Sequence, residues 1–142
     1  MEERAISIEQ ISNFLAENLR QEKSILVVYV FGSYARGDTH PESDLDLAFL
    51  VDEKRYKTDP FDATAPAHII SANIGIKFDI ETDVTILNSA SIEMAYDIVT
   101  KGKCVYFRDE DKKIEYEIKI RSLYYDFRPF LEELRKKTIA EL

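Results

Sequence analysis

The sequence predicts an α/β (α+β) fold: a small mixed sheet of about four strands with helices packed on it. Three observations carry this. Short β-branched and aromatic runs alternate with longer segments whose apolar residues recur every three or four positions. Two of the strand-like runs, Ile25–Phe31 and Leu45–Val51, flank a short polar stretch rich in turn formers. The length of 142 residues, with 45% apolar and 32% charged residues, suits one domain with a real core and shows no repeat or linker.

Taken in order, Ile8, Ile11, Phe14, Leu15 and Leu19 recur at helical spacing. Ser7 is placed to cap that helix and Gln10 to complete a capping box, so a helix is expected from about Ser7 to Glu22. Ile25–Phe31 reads as a strand buried on both faces. Tyr34–Gly37 has room only for a short helix. Asp38–Ser43 contains Pro41 and reads as loop, with His40 a loop histidine without a role. Leu45–Val51 is the second strand. Asp52–Pro66 is polar, holds two prolines and lacks a clean period, so a surface loop is expected. A helix follows over Ala67–Phe78, weakened by Gly75, with His68 expected to cap or pack a helix. Thr82–Leu87 is a third strand, with Val84 and Ile86 on one face and Asp83, Thr85 and Leu87 on the other. Ala90–Lys101 is a helix stopped by Gly102, and Lys103–Phe107 a short fourth strand. Asp109 caps a long final helix in which Tyr116, Ile120, Leu123, Phe127, Phe130 or Leu131, and Leu134 step by three and four. Pro129 is expected to kink or break it. Tyr124, Tyr125 and Phe127 suit either the core or a partner patch.

Bulk properties exclude several function classes. The formal net charge is −8, the wrong sign for binding a nucleic-acid backbone, so no direct nucleic-acid partner is expected. The single cysteine, Cys104, rules out an intrachain disulfide and a Cys-rich zinc site, and reads as a buried residue in a strand. No apolar run approaches membrane-spanning length and the N-terminus lacks a signal-peptide core, which points to a cytoplasmic protein without a membrane partner.

The stretch Val30–Val51 carries the chemistry. Asp44 and Asp46 lie two positions apart, so on an extended strand they face the same way, about 7 Å apart at roughly 3.3 Å of rise per residue. Two carboxylates on one face of an apolar strand are costly unless a cation joins them, and a hard divalent ion such as Mg²⁺ suits oxygen ligands. Gly32, with no β-carbon, lets a phosphate approach the backbone. The Ser33 hydroxyl and the amides that open the next turn can donate to phosphate oxygens. Phosphate donors opposite a metal-binding acid pair suit phosphoryl or nucleotidyl transfer. A third carboxylate is then needed, from Asp79, Glu81 or Asp83. Arg36 suits a triphosphate or pyrophosphate by its fork, and suits an ion pair with Asp38 or Glu42 almost equally.

Gly32-Ser33, ten residues, then Asp44-Leu45-Asp46 resembles the signature of the DNA polymerase β-like nucleotidyltransferase superfamily. The fuller Gly-Ser-Tyr-Ala-Arg-Gly with Ser-Asp-Leu-Asp-Leu is similar to the minimal nucleotidyltransferases, the antitoxins paired with HEPN-domain toxins in prokaryotic toxin–antitoxin modules. The resemblance implies a polymerase β-like fold and a metal-binding, catalytic trio of Asp44, Asp46 and Asp83, the last because the family's third acid precedes an apolar run like Val84-Thr85-Ile86-Leu87. It implies that Gly32, Ser33 and Arg36 hold the nucleotide. It further implies that AMP is moved from ATP, with Mg²⁺, onto a tyrosine of a HEPN-domain RNase toxin, which is thereby silenced. Two other readings stay open: a small-molecule nucleotidyltransferase similar to the aminoglycoside-modifying ones, and a non-catalytic antitoxin that acts by binding. Whether the chain assembles with itself or only with a partner is also open.

Overall fold

The computed structural model describes residues 6–39 and 43–141, so the expectation for His40 lies outside the described residues. Four strands form one sheet in the order β3-β2-β1-β4, with β1 at Ile25–Phe31, β2 at Leu45–Val51, β3 at Thr82–Ile86 and β4 at Lys103–Phe107. β1 pairs antiparallel with β2 and β4, while β2 pairs parallel with β3. A parallel pair cannot be joined by a tight turn, and the crossover is made by α3 (Glu53–Thr58) and α4 (Pro60–Phe78).

Both faces of the sheet are covered, which is why β1 and, Asp46 apart, β2 are apolar rather than alternating. On one face Val28, Val30, Leu45, Leu47 and Phe49 pack with Ile11, Phe14 and Leu15 of α1 (Ile8–Asn18) and with Ala67, Ile70 and Ile74 of α4. On the other, Val27, Tyr29, Ala48 and Leu50 pack with Ala95 and Ile98 of α5 (Ile92–Lys101) and with Ile120 of α6 (Glu110–Ala140). The Tyr29 hydroxyl donates to Glu117 at 2.7 Å, which fastens α6 to β1. Cys104 is half-buried on β4 with its thiol 3.4 Å from the Tyr106 carbonyl.

The capping box at the chain's start forms as expected: Ser7 accepts from the Gln10 amide and the Gln10 side chain accepts from the Ser7 amide. α1 stops at Asn18, short of Glu22, because Leu19 takes up the capping position. The third strand ends at Ile86, and Leu87–Ser89 turns into a 3₁₀ helix. α5 starts at Ile92, with Ser91 as its cap.

Asp52–Pro66 is not a loop; α3 and the first turns of α4 occupy it. Asp52 accepts from the Arg55 amide and Asp59 from the Asp62 amide, so each acid caps a helix. Pro60 sits in the first turn of α4, where its missing N–H is harmless. The buried stripe of α4 begins with Ala63 and Ala67, residues too small to mark a period in a polar stretch. Pro66 is accommodated inside the helix. His68 lies mid-helix and exposed, so it caps nothing.

α6 likewise runs through Pro129 without a break. The carbonyl that Pro129 leaves unpaired belongs to Tyr125, whose side chain is 63% exposed, so water is at hand to satisfy it. Beyond Ile120 the apolar stripe of α6 runs out of sheet to cover, and Phe127, Phe130 and Leu134 stand exposed. Tyr124 stacks on Tyr96 with ring centres 3.7 Å apart, whereas Tyr125 and Phe127 face solvent.

Candidate nucleotidyl-transfer site

The β1–β2 connection opens with a sharp turn. Gly32 has φ +71° and ψ −145°, a combination essentially reserved for glycine, and caps the one-turn helix α2 (Ser33–Arg36). The amides of Ala35 and Arg36 donate to the Gly32 carbonyl, which by helix geometry leaves those of Ser33 and Tyr34 as the leading unpaired donors. Gly37 closes the turn in the left-handed region, at φ +78°. Tyr34 is buried and anchors the turn in the core.

The ladder places the acids beside this turn. Phe31, the last residue of β1, pairs with Asp46, and Asp46 pairs with Asp83 of β3. Residues paired across a sheet share a face, so the Asp46 and Asp83 side chains project together. Asp44 precedes β2 and is exposed, Asp83 is exposed, and Asp46 is half-buried between Gly32 and Asp83. A β-carbon added to Gly32 would overlap the Asp46 carboxylate oxygen Oδ2. Burial pushes the Asp46 carboxyl above its ordinary pKa, and the negative charges of Asp83 and Asp44 push it further, with Arg36 acting the other way. The charges of Asp83 and Asp44 both reach Asp46.

Arg36 itself is exposed and pairs with Asp38, Nε to Oδ2 at 3.1 Å. Asp79 closes α4 in the left-handed conformation, at φ +53°. Glu81 is exposed just before β3, and its carbonyl accepts from the Leu45 amide. A groove of about 550 Å³ lies on the β3 side of Asp44, walled by Ser43, Ile76, Asp79, Glu81 and Thr82. It is assembled from separate stretches of chain, so no local pattern in the sequence marks it.

Three carboxylates with one exposed arginine nearby leave an excess of negative charge that suits a hard cation. Among the described residues no three Asp, Glu, His or Cys side chains form a ready-made metal cage. Mg²⁺ is ordinarily held by one or two carboxylates together with substrate phosphates. The donor set thus fits an ion that is completed by a nucleotide.

Among known proteins, residues 9–111 match the family model described as polymerase beta, nucleotidyltransferase. The protein adenylyltransferase MntA of Shewanella oneidensis is 28% identical over 115 residues, covering 81% of this chain and 75% of that protein. The protein of the same name from Aphanizomenon flos-aquae is 26% identical over 115 residues, covering 79% and 77%. In fold, the chain resembles one from a toxin–antitoxin crystallised with AMP-PNP, with a TM-score of 0.66, 22% identity and coverage of 94% and 99%. It also resembles one from a complex of tri-AMPylated Shewanella oneidensis HEPN toxin with MNT antitoxin, with a TM-score of 0.60, 20% identity and coverage of 93% and 95%. No helix among the described residues is long and apolar enough to cross a membrane. The family model spans the β1 turn, the acids of β2 and β3 and the helices up to α5, and the chain belongs to the polymerase β nucleotidyltransferase family.

Proposed function

We propose that this protein is an antitoxin adenylyltransferase that transfers AMP from ATP to a tyrosine of a HEPN-domain toxin. The observation that carries the reading is the half-buried Asp46 carboxylate held between the Gly32 turn and Asp83. The two adenylyltransferase relatives and the toxin complexes of similar fold support the choice of nucleotide and acceptor.

Gly32 and Ser33 hold the triphosphate: the glycine lets it close to the backbone, and the serine hydroxyl and leading amides donate to its oxygens. Arg36 is free to leave its exposed pair with Asp38 for the outgoing pyrophosphate, since such a surface pair is worth little. Asp44, Asp46 and Asp83 would hold Mg²⁺. A divalent ion bound there supplies charge neutralisation for the phosphates and lowers the pKa of the attacking hydroxyl. In the sheet order β3 lies across β2 from the Gly32 turn, so Asp83 faces the side away from the triphosphate. In-line displacement needs the acceptor on that side. The tyrosine oxygen bonds to the α-phosphorus, the bond to the bridging oxygen breaks, and pyrophosphate leaves with the electron pair. The hydroxyl proton passes to a carboxylate of the trio. Tyrosine suits this because its pKa of about 10 lies far below that of an aliphatic alcohol.

The test is intact-mass spectrometry of a HEPN-domain protein, sought in the neighbouring reading frames and co-expressed with this chain. An AMP-sized adduct on a tyrosine supports the reading. A tight but unmodified complex contradicts it and favours inhibition by occlusion.

A further inference from the structure

One of the few buried polar side chains lies outside the acid trio and is absorbed by none of the chemistry above. Ser71, on α4, is 2% exposed. Its hydroxyl donates to Thr82 Oγ1 at 2.9 Å, and the Thr82 hydroxyl lies 3.3 Å from the Ser71 carbonyl. One turn further along the helix Gly75 packs on the same segment: a β-carbon there would stand 2.9 Å from the Ile80 carbonyl and 3.8 Å from the Thr82 side chain. The Ile80 amide donates back to the Gly75 carbonyl at 3.1 Å. Two positions on one face of α4 thus grip the first residue of β3, immediately before Asp83.

We infer that Ser71 and Thr82 are positioning residues that set the register of β3 and so place Asp83 beside Asp46; this rests on the role proposed for Asp83. β3 needs such a device. It is an edge strand held on one side only, by parallel pairing with β2. None of its residues is fully buried; Val84 and Ile86 pack partly against the core and set the same facing, which the Thr82 contact reinforces at the strand's first residue. Successive strand residues point to opposite faces, so fixing the Thr82 side chain against α4 sends Asp83 to the acid face. A slip of one residue would turn Asp83 towards α4 and leave Asp46 facing Thr82 or Val84. Two hydroxyls that satisfy each other are close to neutral for stability against apolar groups of the same shape, so the pair is better explained by direction than by strength.

The test compares Thr82→Val, Thr82→Ser and the double variant Ser71→Ala/Thr82→Val in the full chain with ATP and the acceptor protein. The expected result is a fall in kcat of about tenfold for Thr82→Val and for the double variant, with KM for ATP nearly unchanged in both and the thermal midpoint nearly unchanged in the double variant, where no hydroxyl is left unpartnered. Thr82→Ser, which keeps the hydroxyl, restores kcat. Amide exchange in residues 82–86, followed without nucleotide, rises in Thr82→Val and not in Thr82→Ser. An unchanged kcat and exchange in the double variant overturns the inference, as does a loss of thermal stability with normal kcat in the folded fraction. Asp83→Asn is run alongside. Full transfer by Asp83→Asn would remove the role of Asp83 itself, whereas an inactive Asp83→Asn beside a fully active double variant removes only the positioning claim.

Discussion

Gly32 lies flat against Asp46: the space a β-carbon would fill on the glycine is taken by the aspartate's Oδ2. The turn proposed to receive phosphate and the strand that carries the acids are therefore in contact before any nucleotide enters. Gly32→Ala should fail twice, through this overlap and through its φ of +71°. A loss of about 1–3 kcal/mol in urea unfolding is expected from the backbone strain. AMP transfer should drop by far more than that loss of folded protein accounts for.

Asp46 carries an opposite expectation for stability and activity. Its pKa is raised in the folded protein, by burial and then by Asp83 and Asp44. The native state therefore binds the proton more tightly than the unfolded chain. Stability from this group is complete below its ordinary value of 3.8 and is lost as pH rises through the folded-state pKa. Asp46→Asn removes that loss. Urea titrations should show the variant more stable than the parent at neutral pH, with the gap closing below the ordinary carboxylate range. Transfer should fall by at least about a hundredfold, because several kcal/mol of charge stabilisation are removed.

The bond from Tyr29 to Glu117 serves as a control away from the acids. Tyr29 is 1% exposed, and burial followed by the Glu117 carboxylate drives its pKa up. Glu117 keeps Lys113 at 3.4 Å when the hydroxyl is removed. Tyr29→Phe should cost about 1.5–3 kcal/mol of stability, the range for a hydrogen bond to a charged group. Transfer per folded molecule should stay unchanged, as a paired unfolding and activity assay would show.

Much of the fold was legible in the chain itself. Ile25–Phe31, Leu45–Val51 and Lys103–Phe107 are strands with the bounds read from their β-branched and aromatic runs. In the first two, burial on both faces makes the run continuous and its ends sharp. Asp52–Pro66 was illegible as helix because its caps are aspartates, its buried stripe starts with alanines and one proline lies within α4. Pro129 misled in α6 for a related reason: an exposed helix lets water take the carbonyl that proline abandons. At the site, alternation along β2 and β3 brings Asp46 and Asp83 to one face, whereas Asp79 ends a helix. The groove beside Asp44 and the Ser71–Thr82 contact join residues far apart in the chain, which no local periodicity reveals.

Pro129 also yields an expectation. Its replacement by alanine restores an amide donor and removes a steric clash in an exposed helix interior, worth about 3 kcal/mol locally. Residues around it pack on little, so the gain should be local. Pro129→Ala should slow amide exchange in the second half of α6 while shifting global unfolding only slightly.

The most direct measurement of the central claim uses ATP labelled at either end of its phosphate chain, with the purified acceptor protein. The acceptor should take up label from α-labelled ATP and none from γ-labelled ATP, and Asp44→Ala/Asp46→Ala should abolish the uptake while remaining folded. Label from the γ position, or α-label that persists with both aspartates gone, would contradict nucleotidyl transfer at this site.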